Sequence, residues 1–397
     1  MLTKISITFF SKLTNAILGF LNAILITQYL GAEGKGVTTL FITSVSLCLL
    51  CCQIIGGNSL VYLSSRLSAS VLLFTSYIWA IVVSSTVSCI LYFLGMCPSQ
   101  YLVELIIVSI LFTLFHAHLF IFLGKEKIIL FNVLNPLPQL IQLLAGIVLF
   151  IVLQVHNVNT YIYNLYFIFA LSYFISLIFI LPKLGGFKMP DKKALQTIWK
   201  YGSNAQTSNI LFFLNNRFMF YLLGYYFIKS EVGIYSIAVM VMEAVLLIGN
   251  SFSLMLYSKI SNTSSATEQM LLTKKYAVIS LVLTAFALCV VVLIPADMYT
   301  SVFGSDFYSI KRIVIYLLPG TLLMSTYYIT SSYFSGTGKY HYNNYAVGSG
   351  LCISVVGGII YISSGDIFTA AVITSTAFSA IALFSLGQFY KQLTLLR

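Results

Sequence analysis

Three ionisable side chains, Lys12, Arg217 and Glu243, stand inside long apolar runs, where charge is costly and by default marks function. Lys12 shares a helical face with Thr8, Asn15, Gly19 and Asn22, a polar stripe along an otherwise apolar helix. The competing reading is a lysine that snorkels to the membrane surface. Arg217 follows Asn215 and Asn216 and shares a face with Gln206, whereas Asn204, Ser208 and Asn215 line another. A guanidinium suits bidentate binding of a diphosphate and keeps its charge when buried; the alternative is a structural bond between helices. Glu243 sits near the middle of its run, with Ser236 and Asn250 on its face. A carboxyl at such depth can exchange protons near neutral pH, as a proton-coupled transporter requires, or form an ion pair with Lys12 or Arg217. Lys12, Asn22, Asn215, Asn216 and Arg217 are therefore the candidate substrate-binding residues, and Glu243 is the candidate for ion coupling.

Other groups suggest less chemistry. His116 and His118 are two residues apart in "LFHAHLF", so they point about 200° apart on a helix and cannot share a metal. The stripe Asn132, Asn135, Gln139 and Gln142 could contact sugar, although hydrogen bonding between helices is the simpler reading. Seven cysteines, three of them in "CLLCC", lie in or at the edges of apolar runs and read as small packing residues, with no disulfide implied. "SGTGKY" and "QYLGAEGKGVTTL" fail the phosphate-loop pattern and read as turns. No catalytic residue, metal or cofactor is expected.

The elements that must hold these residues follow from composition. Of 397 residues, 59% are hydrophobic and 8% charged, against about a quarter charged in soluble domains. Apolar runs long enough to cross a ~30 Å hydrocarbon core recur throughout, and continuous runs exclude a porin-like barrel. Twelve spans are expected: 5–28, 37–63, 70–94, 101–123, 128–153, 160–181, 202–225, 233–257, 275–294, 312–334, 342–363 and 367–389. The N-terminal run reads as a retained helix rather than a cleaved signal. Fifteen of the 21 Lys and Arg fall on one side, and only Lys35, Lys229, Lys311 and Arg312 on the other. The bias puts both termini in the cytoplasm and accounts for the +11 net charge without nucleic acid.

The chain also repeats. "ILGFLNA" (17–23) and "ILFFLNN" (210–216) agree at five of seven positions, 193 residues apart. On the same diagonal Leu30-Gly31 meets Leu223-Gly224, Ile55-Gly56 meets Ile248-Gly249, and Ser65-Arg66 meets Ser258-Lys259. Two six-helix bundles related by a pseudo-two-fold axis along the membrane normal are expected: a lobe over 1–181, a cytoplasmic linker over 182–201 and a second lobe over 202–397. Such repeats suit a site between lobes and alternating access by rocking.

"QYLGAEGKG" with the following helix ending "IGGNSLVYLSSRLS", and "WKYGSNAQTSNILFFLNNRFMFYLLGYYFIKSEVGIYSIAVMVMEAVLL", resemble the oligosaccharide-lipid flippases of the polysaccharide-transporter group. These are the O-antigen, or Wzx-type, repeat-unit flippases of the MATE-like MOP superfamily, related to multidrug-and-toxin-extrusion proteins and lipid II flippases. "EVGIYSIA" (231–238) is the most specific element. The family commonly has an acid before the arginine of span 7, and Asn216 stands there instead, which argues against a locally paired arginine.

The resemblance implies a non-enzymatic flippase of the bacterial inner membrane. It would move undecaprenyl-diphosphate-linked oligosaccharides outward for surface-polysaccharide biosynthesis. Lys12 and Arg217 would bind the diphosphate in a central cavity, helped by a proton or sodium gradient and working beside a polymerase or ligase. A MATE-type antiporter of drugs or metabolites is the alternative, although cation exporters favour intramembrane acids where span 1 carries Lys12. A membrane glycosyltransferase or polymerase fits poorly, since the outer-face acids are scattered singly.

Overall fold

A computed structural model describes residues 2–64, 67–181, 192–263 and 265–395. Among them there is helix and no strand. Helices α1 (Leu2–Gly56), α3 (Ala69–Phe93), α4 (Leu102–Gly124) and α7 (Val158–Ile180), with the short α2 (Asn58–Leu63), belong to the N-terminal part. So do α5 (Ile128–Leu134) and α6 (Leu137–Ile147), which form one broken span closed by a π-helical turn over Val148–Val152. Next come α8 (Lys192–Tyr226), α9 (Lys229–Ser261), α10 (Ala266–Leu293), the short α11 (Ala296–Phe303), α12 (Ile310–Gly336), α13 (His341–Tyr361) and α14 (Ile367–Leu395).

Ten helices among the described residues are long and apolar enough to cross a membrane. The difference from twelve has two physical sources. Spans 1 and 2 are one helix, α1, whose non-helical residue is Gly31 at φ 65° and ψ −169°. The expected turn at "QYLGAEGKGVTTL" is thus a single-residue kink, at a conformation glycine adopts without steric cost. Span 7 is present as α8, but its polar side chains leave it too hydrophilic to count. With both arms of α1 and with α8, six membrane-length segments precede and six follow the midpoint. The all-α membrane architecture is as expected.

The chain divides into two compact units, Met1–Ile210 and Leu211–Arg397, so the division falls within α8. The first half of the expected linker (182–191) lies outside the described residues, as do Arg66 and Arg397 and the side chains of Lys4, Asn204 and Ser208.

In the first unit the core gathers Leu60, Leu72, Phe115, Ile121, Phe122 and Ile180 with Ile198 of α8. Small side chains let helices approach: Cys48 and Cys52 of α1 meet Ser88 and Ser84 of α3 at 3.5 and 3.4 Å. A close approach fixes α8 here as well. A Cβ at Gly202 would stand 1.6 Å from the Ile54 carbonyl oxygen, and Gln206, 2% exposed, donates to the Leu50 carbonyl and to Gln53 Oε1, each at 3.2 Å.

In the second unit one core cluster holds Leu246, Met324, Ala346 and Ile381, and another Leu256, Ile329, Tyr333, Phe334 and Phe389. Pro319 interrupts α12, and Gly320 donates its backbone N–H to Ser375 Oγ of α14 at 2.9 Å. A neighbouring side chain thus satisfies backbone polarity at the break. Val278, Val282 and Phe286 of α10 are all exposed apolar side chains, as a lipid-facing flank requires.

Candidate functional site: a paired arginine and a lysine within apolar helices

Arg217 and Glu243 come together inside the second unit. α8 ends at Tyr226 and α9 begins at Lys229, whose Nζ caps α8 by donating to the Gly224 carbonyl at 2.6 Å. At about 1.5 Å per residue, Arg217 stands ~14 Å from this turn and Glu243 ~21 Å. The long arginine side chain spans the difference. Its Nη2 lies 2.8 Å from Glu243 Oε1 and 3.1 Å from Oε2. The guanidinium also lies over the Phe220 ring, 5.2 Å from its centroid. The two side chains are 27% and 41% exposed, so the pair is accessible at one edge of its unit.

Of the readings open for Glu243, the structure forms the ion pair with Arg217, and no acid stands beside the arginine in sequence. The partner comes from the next helix instead of the preceding residue. Asn216 leaves that local position neutral, and the chain turns back so that an acid 26 residues on reaches the same cation. Phe220, one turn beyond Arg217, carries an i, i+3 signal in the sequence. Tyr328 of α12 interacts electrostatically with both partners, and no sequence spacing links it to them.

The amides sort differently. Asn215 is 3% exposed and its Oδ1 accepts from Ser354 of α13 at 3.4 Å, while its Nδ2 has no partner among the described residues. Asn216 is partly exposed, with an unpartnered Oδ1. Asn22 is buried and donates to the backbone carbonyl of Gln139 at 2.9 Å and to its Oε1 at 3.2 Å. Asn132 donates to Thr8 Oγ1 at 3.0 Å, and its carbonyl accepts from Ser11 at 2.8 Å. The polar stripe of α1 and that of α5–α6 thus face each other and bond, the simpler of the two readings of that stripe. Lys12 remains exposed on α1.

His118 is fully buried between Tyr77 of α3 and Ser176 of α7. Ser176 donates its own proton to the Tyr173 carbonyl at 2.8 Å, so His118 Nδ1–H donates to Ser176 Oγ at 2.7 Å and Nε2 accepts from Tyr77. This network satisfies the imidazole within the bundle. His116 Nδ1 donates separately to the Phe112 carbonyl at 3.0 Å.

No protein-family model matches the sequence, and no curated protein does. Solved structures do match along nearly the whole chain. The lipid II flippase MurJ in an inward closed conformation superposes with a TM-score of 0.77 at 14% identity, over 98% of this chain and 87% of that one. A multidrug resistance MATE family transporter of the MOP superfamily, inward-facing, gives 0.71 at 10% identity, over 96% and 95%. The MATE multidrug transporter DinF-BH gives 0.66 at 14% identity, over 97% and 93%. At these identities the likeness defines the fold alone: the chain folds as these flippase and MATE transporter structures do.

Proposed function

We propose that this chain is a flippase that moves undecaprenyl-diphosphate-linked oligosaccharide repeat units from the inner to the outer leaflet of the bacterial inner membrane by alternating access. The observation that carries the reading is a partly exposed arginine held mid-helix in apolar surroundings, a group suited to a diphosphate. Lys12, exposed on α1, is the second candidate cation for the diphosphate, and no acid accompanies it in the first arm of α1. Asn216, partly exposed beside the arginine, is the polar contact for sugar, and Asn215, buried against Ser354, acts by positioning α8. Asn22, tied to Gln139, acts by positioning the helix that carries Lys12. Glu243 is the coupling group for a proton or sodium gradient. Membrane polymerase or ligase machinery consumes the product, and both termini are cytoplasmic.

The MATE-type antiporter keeps one specific support, the accessible carboxylate of Glu243, which an organic cation can approach. The test is surface-polysaccharide display in a strain dependent on this chain. Arg217→Ala abolishes display at unchanged protein level. Display that persists with both Arg217 and Lys12 replaced by alanine removes the diphosphate assignment, and ethidium efflux lost on Glu243→Gln in its place supports the antiporter.

A further inference from the structure

We infer that Glu243 is a built-in competitor for the Arg217 site and sets a threshold of valency, so that a diphosphate headgroup, which can fill the free fork, displaces it while a singly phosphorylated one does not. The inference rests on the flippase reading above. Its basis is the shape of the pair. Both carboxylate oxygens contact a single nitrogen, Nη2, at 2.8 and 3.1 Å. Nη1 and Nε make no hydrogen bond among the described residues, so the two-nitrogen fork that holds an anion most strongly is not used by Glu243. The ring of Phe220 supports the guanidinium from its face and leaves its edges to other partners. Partial exposure of both side chains gives an incoming group access to the pair.

Few other charges bear on this exchange. Tyr235 of α9 and Tyr328 of α12 are within electrostatic reach, and Tyr235 is engaged with Thr374 at 2.7 Å. Residues 313–336 of α12 and 367–390 of α14 contain no Asp, Glu, Lys, Arg or His. On α10, Lys274 and Lys275 lie within ~14 Å of the α9–α10 turn, whereas Glu243 lies ~27 Å from it. Arg217 and Glu243 therefore form a locally neutral unit.

A singly phosphorylated lipid, itself carrying about −1.5 to −2 near pH 7, brings one phosphate, which gains one cation and meets the tethered carboxylate. A diphosphate brings a second phosphate, whose oxygens can take the unused fork nitrogens while the first stands at Nη2, so exchange favours it. The same competition assists release, because the carboxylate stays tethered beside the arginine and retakes it when the headgroup leaves.

The test measures equilibrium binding to the full chain in detergent with three probes: farnesyl diphosphate, farnesyl monophosphate and inorganic pyrophosphate. Wild type should prefer the diphosphate lipid over the monophosphate lipid by about ten-fold, a 1.4 kcal/mol difference. Glu243→Gln should reduce that preference to less than about three-fold, chiefly by strengthening monophosphate binding. Glu243→Asp retains the charge on a shorter arm and should give an intermediate ratio, which guards against misfolding of the first variant. An unchanged ratio in Glu243→Gln, or equal weakening of both lipids, overturns the inference while leaving the flippase reading intact. Farnesyl diphosphate binding that is indifferent to Arg217→Gln overturns the flippase reading instead. Inorganic pyrophosphate binding as tightly as the diphosphate lipid overturns the lipid as the ligand source.

Discussion

Arg217 Nη2 and Glu243 Oε1 meet at 2.8 Å across α8 and α9, joining the intramembrane arginine to the acid of the following helix. The bond realises one of the two readings that the sequence leaves open for Glu243, an ion pair as against ion coupling, and places it on the arginine suited to anion binding. At 27% and 41% exposure the pair is a moderate contributor to stability, because water competes for both partners. A double-mutant cycle with Arg217→Ala and Glu243→Ala, read by thermal unfolding in detergent, should give a coupling of about 1 kcal/mol. Coupling indistinguishable from zero would mean that the pair does not form in the folded protein.

Gly202 tests the seat of α8 in the first unit. Alanine there would place a methyl 1.6 Å from the Ile54 carbonyl oxygen, a backbone atom that cannot swing aside. Gly202→Ala should lower thermal stability by the equivalent of about 1–3 kcal/mol, the range for overpacking. Gly348→Ala, where the added carbon meets nothing within 4 Å, is the matched control.

The facing stripes of α1 and α6 give a third expectation. Asn22→Leu breaks the bonds to Gln139, and helix–helix hydrogen bonds in membranes average about 0.6 kcal/mol. The cycle of Asn22→Leu with Gln139→Leu isolates the bond to Oε1 and should return a coupling near that value, whereas the bond to the Gln139 backbone carbonyl is lost with Asn22→Leu alone. Additive losses would show that the Oε1 bond is not formed.

His118 supplies a spectroscopic prediction. Since Ser176 donates to Tyr173, the proton of the imidazole sits on Nδ1. Nitrogen-15 spectra of labelled protein should show a protonated Nδ1 and a bare Nε2. His118→Phe removes the acceptor of the Tyr77 hydroxyl, at a cost of about 1–3 kcal/mol, while Ser176 keeps its bond to the Tyr173 carbonyl.

Much of the architecture was legible in residue order because a bilayer imposes a one-dimensional code. Apolar runs must be long enough to cross it, and their backbones must be helical. That code marked the helical runs, the sparse charges inside them and the duplicated pattern that unites 17–23 with 210–216. Span 7 was counted among the membrane runs and matches span 1 at 210–216, even though α8 is too hydrophilic to qualify by hydropathy. Gly31 shows the limit: its glycine-rich surroundings read as a turn, yet one left-handed residue is enough to redirect the chain, and α1 continues.

Side-chain partners belong to the tertiary structure. Residue order supplied Arg217, Glu243, Asn22, Gln139 and His118, with helical faces for several of them, and left open which faces meet. Asn22 pairs with Gln139 over 117 residues and His118 with Ser176 over 58, separations at which helical periodicity carries no information. Arg217 finds Glu243 because the turn at 227–228 lays α9 back along α8 at a register that the long arginine side chain can bridge. Composition thus determined the solvent and the elements, since transfer into lipid depends on each segment alone. Packing decided the bonds, since a hydrogen bond or ion pair depends on angles and distances that exist only once helices are in contact.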